Sequence, residues 1–318
     1  MKEKYLMGID LGGTNIAAAI VTQDFRIVRK GKVPTLAQRK GEEIIADMGA
    51  LCNRLMAEEG LTVDDFVGCG IASPGIADDK TGKIVYTNNL PFRDFPIVKL
   101  LHDSVPFERI AVGNDANAAA LGEAVAGSAK GVDTMVLITL GTGVGGGIII
   151  DGKIYSGFNS AAGELGHTVI TVDGAPCTCG RKGWWEAYSS ATALVRHTKE
   201  VMEQCKDSEM WQRCHGTLDR VSGVTAFAAA KAGDKAGQQV VDWYIRHLAI
   251  GLTNMINIFQ PEVLCIGGGV SKEGDNLLKR LVPKVEKECY NRDVEKTRIC
   301  IATLGNDAGL IGAAMLGR

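Results

Sequence analysis

A glycine-rich stretch, LGTGVGGG at 140–147, is the part of the sequence with the clearest capacity for chemistry. It stands between two β-branched, apolar runs, 133–139 and 148–155, which predict a turn joining two strands. Because glycine has no Cβ, the backbone N–H groups of such a turn can approach a ligand closely. Together with the hydroxyl of Thr142, they could hold phosphate oxygens. Considered alone, the stretch is equally compatible with a tight hairpin that binds nothing.

A second pattern of the same kind, near the N-terminus, favours phosphate binding over an empty hairpin. Residues 5–21, YLMGIDLGGTNIAAAIV, read strand, Gly-Gly-Thr turn and strand. Two such units in one chain suggest two related halves that grip a nucleotide triphosphate from both sides. Asp10, directly before the turn, could belong to the Mg²⁺ shell that a triphosphate needs. Its alternative role is to cap the turn, which is a common use of aspartate.

A third candidate for chemistry is the acidic turn in the segment RIAVGNDANAAALGEAVAG, 109–127. This segment predicts a strand, a turn that contains Asn114 and Asp115, and a helix of strong helix formers from Ala116 onward. A carboxylate at this junction is either the N-cap of the helix or a catalytic base held by rigid elements on both sides. The local sequence leaves both roles open.

Two loops nearby carry groups suited to binding hydroxyls. FVGCGIA at 66–72 predicts a buried strand that runs into the loop SPGIADDKTG, and open α/β sheets present ligand contacts at the ends of such strands. Asn88 and Asn89 offer amide donors and acceptors. However, Asn-Asn before Leu-Pro is also typical of a simple turn.

The region after the central glycines has the highest density of polar chemistry between small residues. Its candidate residues are Glu164, His167, Cys177, Cys179 and Glu186. Individually, His167 could be a core imidazole, and Glu186 could lie on the solvated face of a helix that starts near Trp184. A purely structural role is hard to maintain for all five together.

The last third of the chain adds another glycine turn. A long apolar helix, 234–261, ends at Pro261 and leads into a strand, the glycines at 267–269 and a further helix. This pattern places backbone amides at a helix N-terminus, where they could face an anion or the sugar–base part of a nucleotide. A strand at 297–302 and a helix at 307–316 complete the chain.

The overall composition is that of an ordinary globular protein and excludes several classes of function. A chain of 318 residues is long enough for two domains with a large core. Its net charge of −2 argues against electrostatic binding of nucleic acid, and no apolar run approaches a membrane span. The first strand leaves no room for a signal peptide, and the nine cysteines indicate reduced thiols. We therefore expect a cytoplasmic protein with no nucleic-acid or membrane partner.

Taken together, these motifs resemble the ROK family of sugar kinases (repressor, open reading frame, kinase). DLGGTNI resembles its first phosphate motif, LGTGVGGG its second and NDANAAALGE its catalytic-aspartate segment. ELGH followed by CTCGRKGWWEAYSS is similar to its signature block, and IGGGVS to its adenosine turn. The five motifs occur in the family's order over nearly the whole chain.

The resemblance implies an α/β protein with the two-domain actin/hexokinase-like (ribonuclease H-like) ATPase fold and a cleft between the domains. It implies an N-terminal small domain at 1–115, on which residues 305–318 pack, and a C-terminal large domain at 116–304. A homodimer or homotetramer is also implied.

Carried over position by position, the resemblance implies a role for each matching residue. Asp115 is implied to be the base that takes the proton from the sugar hydroxyl. The residues implied to bind the sugar are Gly75, Asn89, Asn114, Asp115, Glu164, His167 and Glu186. Those implied to bind ATP with Mg²⁺ are Asp10, Gly12, Gly13, Thr14, Asn15, Gly141, Thr142, Gly143, Gly268 and Gly269.

The sequence departs from the family pattern at a structural zinc site. The family block is typically CxCGxxGCxE, and its three cysteines bind zinc together with the histidine of ExGH. Here Trp184 replaces the third cysteine, and an indole supplies no ligand. His167, Cys177 and Cys179 could still hold zinc with a water, or the loop could pack around Trp184 without metal.

The implied activity is transfer of the γ-phosphoryl of ATP to the 6-hydroxyl of a hexose, with glucose as the first expectation. Kinases for N-acetylmannosamine, fructose or allose are alternatives, and so is polyphosphate as the donor. A sugar-sensing ROK repressor is a rival from another class. It requires a helix-turn-helix before the first strand, where this sequence has only a few residues ahead of Tyr5.

Overall fold

The computed structural model of the protein describes residues 4–177, 179–290 and 293–318. The chain forms two compact units. The first contains the chain up to Met135, Gly147–Gly163 and Thr303–Arg318, and the second contains Val136–Gly146 and Glu164–Ala302. The domain boundary predicted after Asp115 falls at the start of a helix that belongs to the first unit.

The first unit is built on a five-stranded mixed sheet with the order β3-β2-β1-β4-β8. Its strands are β1 (Tyr5–Leu11), β2 (Asn15–Thr22), β3 (Ile27–Pro34), β4 (Phe66–Ser73) and β8 (Ile110–Asn114). The first three strands pair antiparallel, as the predicted hairpin requires, whereas β4 lies parallel between β1 and β8. Because β1, β4 and β8 run parallel, their C-terminal ends lie at the same edge of the sheet.

The main core of this unit lies between the sheet and two helices, α1 (Gly41–Glu58) and α2 (Ile97–Ser104). Apolar residues of α1, among them Ile44, Met48, Leu51 and Leu55, recur at helical spacing and are buried. A small antiparallel sheet adjoins these elements and consists of β5 (Ile76–Asp78), β6 (Lys83–Tyr86) and β7 (Arg93–Phe95).

Two further helices, α3 (Asp115–Ala126) and α10 (Asp307–Leu316), pack against each other with very close backbones. A Cβ added at Gly312 would lie 1.6 Å from the carbonyl oxygen of Ala118, and one at Gly122 would lie 2.2 Å from that of Ala308. Helix α10 also packs on β1 and β4, where a Cβ at Gly70 would lie 1.8 Å from the carbonyl oxygen of Ala313. Glycine is therefore required along both faces of α10.

We expect Gly312→Ala to lower the free energy of unfolding by about 3 kcal/mol, because the helix backbones must separate to admit one methyl group. Urea denaturation measures the change. Gly223→Ala is the matched control, since a Cβ at Gly223 meets no atom within 4 Å, and its change should stay below about 1 kcal/mol. Equal effects of the two substitutions would contradict the close packing.

The second five-stranded sheet of the protein has the order β11-β10-β9-β12-β13. Its strands are β9 (Met135–Leu140), β10 (Val144–Ile150), β11 (Lys153–Ile154), β12 (Val263–Gly267) and β13 (Arg298–Ile301). The parallel pairing of β12 with β13 is in register from Val263 opposite Arg298 to Ile266 opposite Ile301. The strands predicted on both sides of the central glycines are present as β9 and β10.

The second unit is centred on a long helix, α8 (Lys235–Phe259), against which most of its other helices pack. The others are α4 (Glu186–Ser189), α5 (Ala191–Gln204), α6 (Met210–Arg213), α7 (Thr225–Lys231) and α9 (Asp275–Glu288). Asp234 caps α8 by accepting a hydrogen bond from the Gly237 amide, and the helix ends at Gln260 in the left-handed conformation, before Pro261. None of the helices in the described ranges is long and apolar enough to cross a membrane.

One sequence prediction for this unit is wrong in detail. The glycines at 267–269 are followed not by a helix but by a 3₁₀ turn, Val270–Glu273, and α9 begins only at Asp275. Gly274 lies between this 3₁₀ turn and α9 and has a φ of 55°. Because this positive φ is not helical, α9 can begin only after Gly274.

Candidate active site

In the first unit, β1 and β2 are joined by a turn at the position where the sequence predicts phosphate binding. The Gly12 amide donates to the carbonyl oxygen of Asn15 at 3.0 Å, and the hydroxyl of Thr35 donates to the carbonyl oxygen of Gly12 at 2.6 Å. A Cβ at Gly13 would lie 3.6 Å from the Cβ of Asn89, so the Asn88–Asn89 loop faces this turn. Hydrogen bonds therefore fix the backbone of the turn at Gly12, while Gly13 to Asn15 remain exposed.

Asp10, at the end of β1, is a largely buried carboxylate. Within the described ranges no residue donates a hydrogen bond to its side chain, which argues against the turn-capping alternative. Burial raises the pKa of the Asp10 carboxyl to about 6, and the charge of Asp115 adds to the rise. A Cβ at Gly309 would lie 3.1 Å from its Oδ2. A buried acidic oxygen with a second carboxylate nearby is a donor set that suits a divalent cation.

The junction of β8 and α3 shows which residue caps the helix. The side-chain oxygen of Asn114 accepts from the amides of Ala116 and Asn117 at 2.9 and 3.1 Å, so Asn114 is the N-cap of α3. Its amide group donates to the carbonyl oxygen of Gly75 at 3.0 Å. Asp115 is the exposed first residue of the helix, held close to the Ala116 amide at 2.8 Å. This leaves its carboxylate on a rigid element and open to solvent.

Gly75 is fixed in place by the same network. Its backbone lies in the left-handed region at φ 84°, and a Cβ there would lie 2.1 Å from the carbonyl oxygen of Tyr86. Only glycine fits this position without displacing the backbone of the neighbouring strand. The structure thus brings the predicted residues of this unit together in two groups, the turn at Gly12–Asn15 with Asn89 and the junction of Asp10, Gly75, Asn114 and Asp115.

In the second unit, the central glycine turn is shorter than the sequence suggests. Only residues 141–143 form the turn, and the following glycines lie within β10. The Ala191 amide donates to the carbonyl oxygen of Gly141 at 2.8 Å, and the hydroxyl of Thr192 donates to that of Thr142 at 2.8 Å. The first turn of α5 therefore holds this loop, while the Thr142 side chain is exposed.

Glu186 is tied directly to this glycine turn. Its Oε2 accepts a hydrogen bond from the Val144 amide at 2.9 Å, and a Cβ at Gly143 would lie 2.3 Å from the same oxygen. The alternative of a solvated helix face is therefore wrong, because the carboxylate points onto the turn rather than into solvent.

The glycine turn at 267–269 lies next to the C-terminal end of β9, directly before the central glycine turn at 141–143. Gly268 has φ 83°, and a Cβ there would lie 2.5 Å from the carbonyl oxygen of Leu140. The hydroxyl of Ser271 donates to the carbonyl oxygen of Gly268 at 2.7 Å and closes the turn. Gly268 and Gly269 thus lie next to Leu140, the residue that leads into the turn at 141–143.

Glu164 and His167 flank a 3₁₀ turn, Leu165–His167, that packs on β10. Nδ1 of His167 lies 3.3 Å from Oε2 of Glu164, and their side chains are 36% and 59% exposed. A Cβ at Gly166 would lie 2.2 Å from the carbonyl oxygen of Val144, the residue that also binds Glu186. His167 is therefore not a core imidazole, and it lies in the same part of the unit as Glu164 and Glu186.

His167 also belongs to the candidate metal cluster. The ligand atoms of His167, Cys177 and Cys179 all lie within 4.8 Å of one another. The indole N–H of Trp184 donates to the Cys179 sulfur at 3.0 Å. The Arg181 backbone amide, followed by Cys177 and the Trp184 indole, lowers the pKa of the Cys179 thiol through hydrogen bonds.

Glu123, in α3, is a structural residue that the sequence analysis missed. It is fully buried, and its Oε1 accepts from the Leu304 amide at 2.8 Å. Its Oε2 accepts from the amide and hydroxyl of Ser128 at 2.8 and 2.9 Å and from the Thr303 amide at 3.2 Å. Glu123 therefore fixes the segment that leads into α10. The available signal was an acid at the end of an otherwise apolar helix segment.

We expect Glu123→Gln to lower the free energy of unfolding by about 2–3 kcal/mol, because the amide nitrogen would face backbone donors in a buried site. Urea denaturation of the variant beside Glu203→Gln measures this. Glu203 is exposed, so its substitution should change stability by less than about 0.5 kcal/mol. Two variants of equal stability would show that the buried carboxylate is not needed.

With this geometry in place, the comparisons with known proteins identify the family. The ROK family profile matches residues 6–318, so the chain belongs to the ROK family, and its fold is the actin/hexokinase-like α/β fold of that family's solved members. The family predicted from the five motifs is thereby confirmed.

Among the relatives, the chain is similar to the glucokinase of Halalkalibacterium halodurans, with 39% identity over 99% of this chain and 96% of that protein. It is also similar to the ROK family glucokinase from Streptomyces griseus, solved in complex with glucose and AMPPNP, with TM-score 0.82, 33% identity and 99% of each chain covered. The ROK hexokinase from Thermus thermophilus has TM-score 0.83 and 30% identity, with 98% of this chain and 97% of that chain covered.

Proposed function

We propose that this protein is a glucokinase that transfers the γ-phosphoryl group of ATP to the 6-hydroxyl of glucose. The observation that carries the proposal is the geometry at Asp115. Asn114 takes over the capping of α3 and leaves an exposed carboxylate on a rigid strand–helix junction. The glucokinases among its relatives support the choice of reaction.

In the proposed reaction, Asp115 accepts the proton of the 6-hydroxyl as this oxygen attacks the γ-phosphorus. A new bond forms between the sugar oxygen and phosphorus, the bond between the γ-phosphorus and the bridging oxygen breaks, and ADP leaves with the electron pair. Phosphoryl transfer depends mainly on alignment and charge stabilisation. The two rigid elements that meet at Asp115 provide this alignment for the base.

The phosphate-binding role is assigned to the turn at Gly12, Gly13, Thr14 and Asn15, with Asp10 as the residue that would hold Mg²⁺. The buried carboxylate of Asp10 fits a cation because it has no hydrogen-bond donor within the described ranges. Mg²⁺, when bound, neutralises charge on the phosphate oxygens. The hydroxyl of Thr35 fixes this turn by donating to the carbonyl oxygen of Gly12. The backbone N–H groups of the turn would then orient the phosphates.

In the second unit, we assign the phosphates to Gly141, Thr142 and Gly143 and the adenosine to Gly268 and Gly269. The polar residues beside these turns suit a polyhydroxylated substrate. Glu164 and Glu186 offer carboxylate acceptors, and His167 offers a ring nitrogen. The bond from the Val144 amide orients Glu186 before any sugar binds. A site that hydrogen-bonds a hydroxyl group rejects analogues that lack it.

A panel of hexoses in a coupled ADP-release assay tests the substrate. We expect glucose to have the highest kcat/KM, by at least about tenfold over N-acetylmannosamine, fructose and allose. Replacing ATP with polyphosphate in the same assay tests the donor, and we expect ATP to be preferred because the Gly268–Gly269 turn is assigned to adenosine. Higher activity with another hexose would reassign the substrate. If no hexose gives ADP release, the assignment of kinase activity would be wrong.

We also propose that the enzyme assembles as a homodimer or homotetramer, as the family resemblance implies. The domains assigned from that resemblance, 1–115 with 305–318 and 116–304, remain a proposal for the functional division. Light scattering on the purified protein would give the oligomeric state directly, and a monomer would contradict this part of the proposal.

A further inference from the structure

The loop that carries Cys177 and Cys179 is a short hairpin that is preorganised by its backbone. The Cys177 amide donates to the carbonyl oxygen of Arg181 at 2.8 Å, and the Gly180 amide donates to that of Cys177 at 3.0 Å. The Gly183 amide donates to the carbonyl oxygen of Ala175 at 2.9 Å. These bonds fix the backbone around the two cysteines, and their sulfurs lie close to the ring of His167.

The chemistry of this trio fits a zinc ion. Two cysteine sulfurs and one imidazole nitrogen are ligands that Zn²⁺ prefers, and the ligand atoms of His167, Cys177 and Cys179 lie within 4.8 Å of one another. Structural zinc sites are normally closed by four protein ligands, whereas a site with three protein ligands keeps one position for water or another small ligand. The number of ligands around this trio therefore decides what kind of site it is.

Trp184 occupies the sequence position of the family's third cysteine and packs beside the three ligand residues. Its ring packs edge-on against His167 with the ring centroids 5.6 Å apart, and the guanidinium carbon of Arg181 lies 4.8 Å from the centroid of the indole ring. The indole N–H donates to the Cys179 sulfur at 3.0 Å. Because an indole is a donor only, Trp184 modifies a ligand but cannot complete the coordination.

We propose that this chain binds Zn²⁺ through His167, Cys177 and Cys179 alone and keeps a fourth, exchangeable coordination position beside Trp184. The hydrogen bond from the indole stabilises negative charge on the Cys179 sulfur and so reduces its donation to the metal. The exposure of Cys179 gives small anions access to the metal. The site would therefore bind zinc more weakly than one closed by three cysteines, and it would exchange its fourth ligand with solvent.

Cobalt substitution tests the coordination without any reference to kinase activity. Co²⁺ added to the metal-free protein should give the visible absorption of a tetrahedral site with thiolate ligands, and azide should shift this spectrum. Trp184→Cys should add a third thiolate, raise the sulfur-to-cobalt charge-transfer intensity by about half and make the spectrum insensitive to azide. Zinc affinity, measured by competition with a chromophoric chelator, should rise at least about tenfold in this variant.

Two further variants keep the test decisive if Trp184→Cys does not fold. Cys179→Ser should abolish stoichiometric cobalt binding, whereas Trp184→Phe should bind cobalt and remain sensitive to azide. Trp211→Phe is the matched control, because the Trp211 indole donates to the carbonyl oxygens of Met202 and Cys205 away from the cluster. A wild-type spectrum that azide does not change would overturn the open position. Failure of the wild type to bind cobalt or zinc would show that the loop packs around Trp184 without metal.

Discussion

Replacing Asp115 with asparagine is expected to lower kcat by about two to three orders of magnitude, the contribution typical of general-base catalysis. The substitution preserves the size of the side chain and removes its negative charge, and with it the ability to take the proton of the sugar hydroxyl. The N-cap of α3 is provided by Asn114 and not by Asp115, so the helix should be unaffected. KM for glucose and for ATP should therefore change much less than kcat.

Steady-state kinetics with saturating ATP measure this effect, and Asp207→Asn provides the control. Asp207 is an exposed aspartate of the second unit, so its substitution should leave kcat within about twofold of the wild type. A variant of Asp115 that keeps near-normal turnover would remove this residue from the mechanism. If kcat/KM falls through KM alone, Asp115 would instead be a binding residue.

Replacing Asp10 with asparagine is expected to have two opposite effects, a loss of activity and a gain in stability. Loss of the carboxylate should lower kcat/KM for MgATP by about 100-fold or more, because the placement of the metal contributes several kcal/mol to transition-state stabilisation. The gain in stability follows from the pKa of the Asp10 carboxyl, which burial and the charge of Asp115 raise from 3.8 to about 6.

The sign of the stability effect follows from proton linkage. Because the folded state holds the Asp10 proton more tightly than the unfolded state, the free energy of unfolding falls as the pH rises from 3.8 to about 6. Above this window the ionised carboxylate costs about 3 kcal/mol. Asp10→Asn should therefore be more stable than the wild type at about pH 7.5 by up to this amount, and the difference should disappear below about pH 4.

Urea denaturation in the absence of Mg²⁺ and nucleotide, at several pH values, measures this difference. Asp207→Asn should show no such pH-dependent gain. Since the charge of Asp115 contributes to the raised pKa of Asp10, Asp115→Asn should also gain stability at neutral pH, although less than Asp10→Asn. A neutral or destabilising effect of Asp10→Asn at about pH 7.5 would contradict the burial argument.

Local sequence patterns were sufficient to predict the helices and strands whose formation depends on neighbouring residues in the sequence. The hairpin of β1 and β2 follows from alternating apolar residues around Gly-Gly-Thr, and helix α10, predicted at 307–316, is observed as Asp307–Leu316. The late start of α9 could not be predicted, because it depends on the positive φ of Gly274 and on the bond from Ser271 to Gly268. Glycine turns alone do not reveal such bonds.

The candidate residues of the proposed site can be listed from the sequence, but their contacts depend on the fold. Asn114 and Asp115 are both good N-cap residues, and the sequence could not decide between them until the bonds to the α3 amides were known. Glu123 could not be recognised, because its partners Thr303 and Leu304 are distant in the chain. Whether Trp184 lies inside the metal cluster or outside it is likewise a question of tertiary packing.

The close packing of α10 has a consequence for the order of events during synthesis. The segment that completes the first unit, Thr303–Arg318, follows the whole of the second unit in the chain. Until it leaves the ribosome, the glycines of β1, β4 and α3 face no helix, and the nascent N-terminal sheet keeps one side uncovered. Biosynthesis of this enzyme should therefore include an interval in which its second unit can fold before its first, with a dependence on chaperones that a chain of two sequential domains would not have.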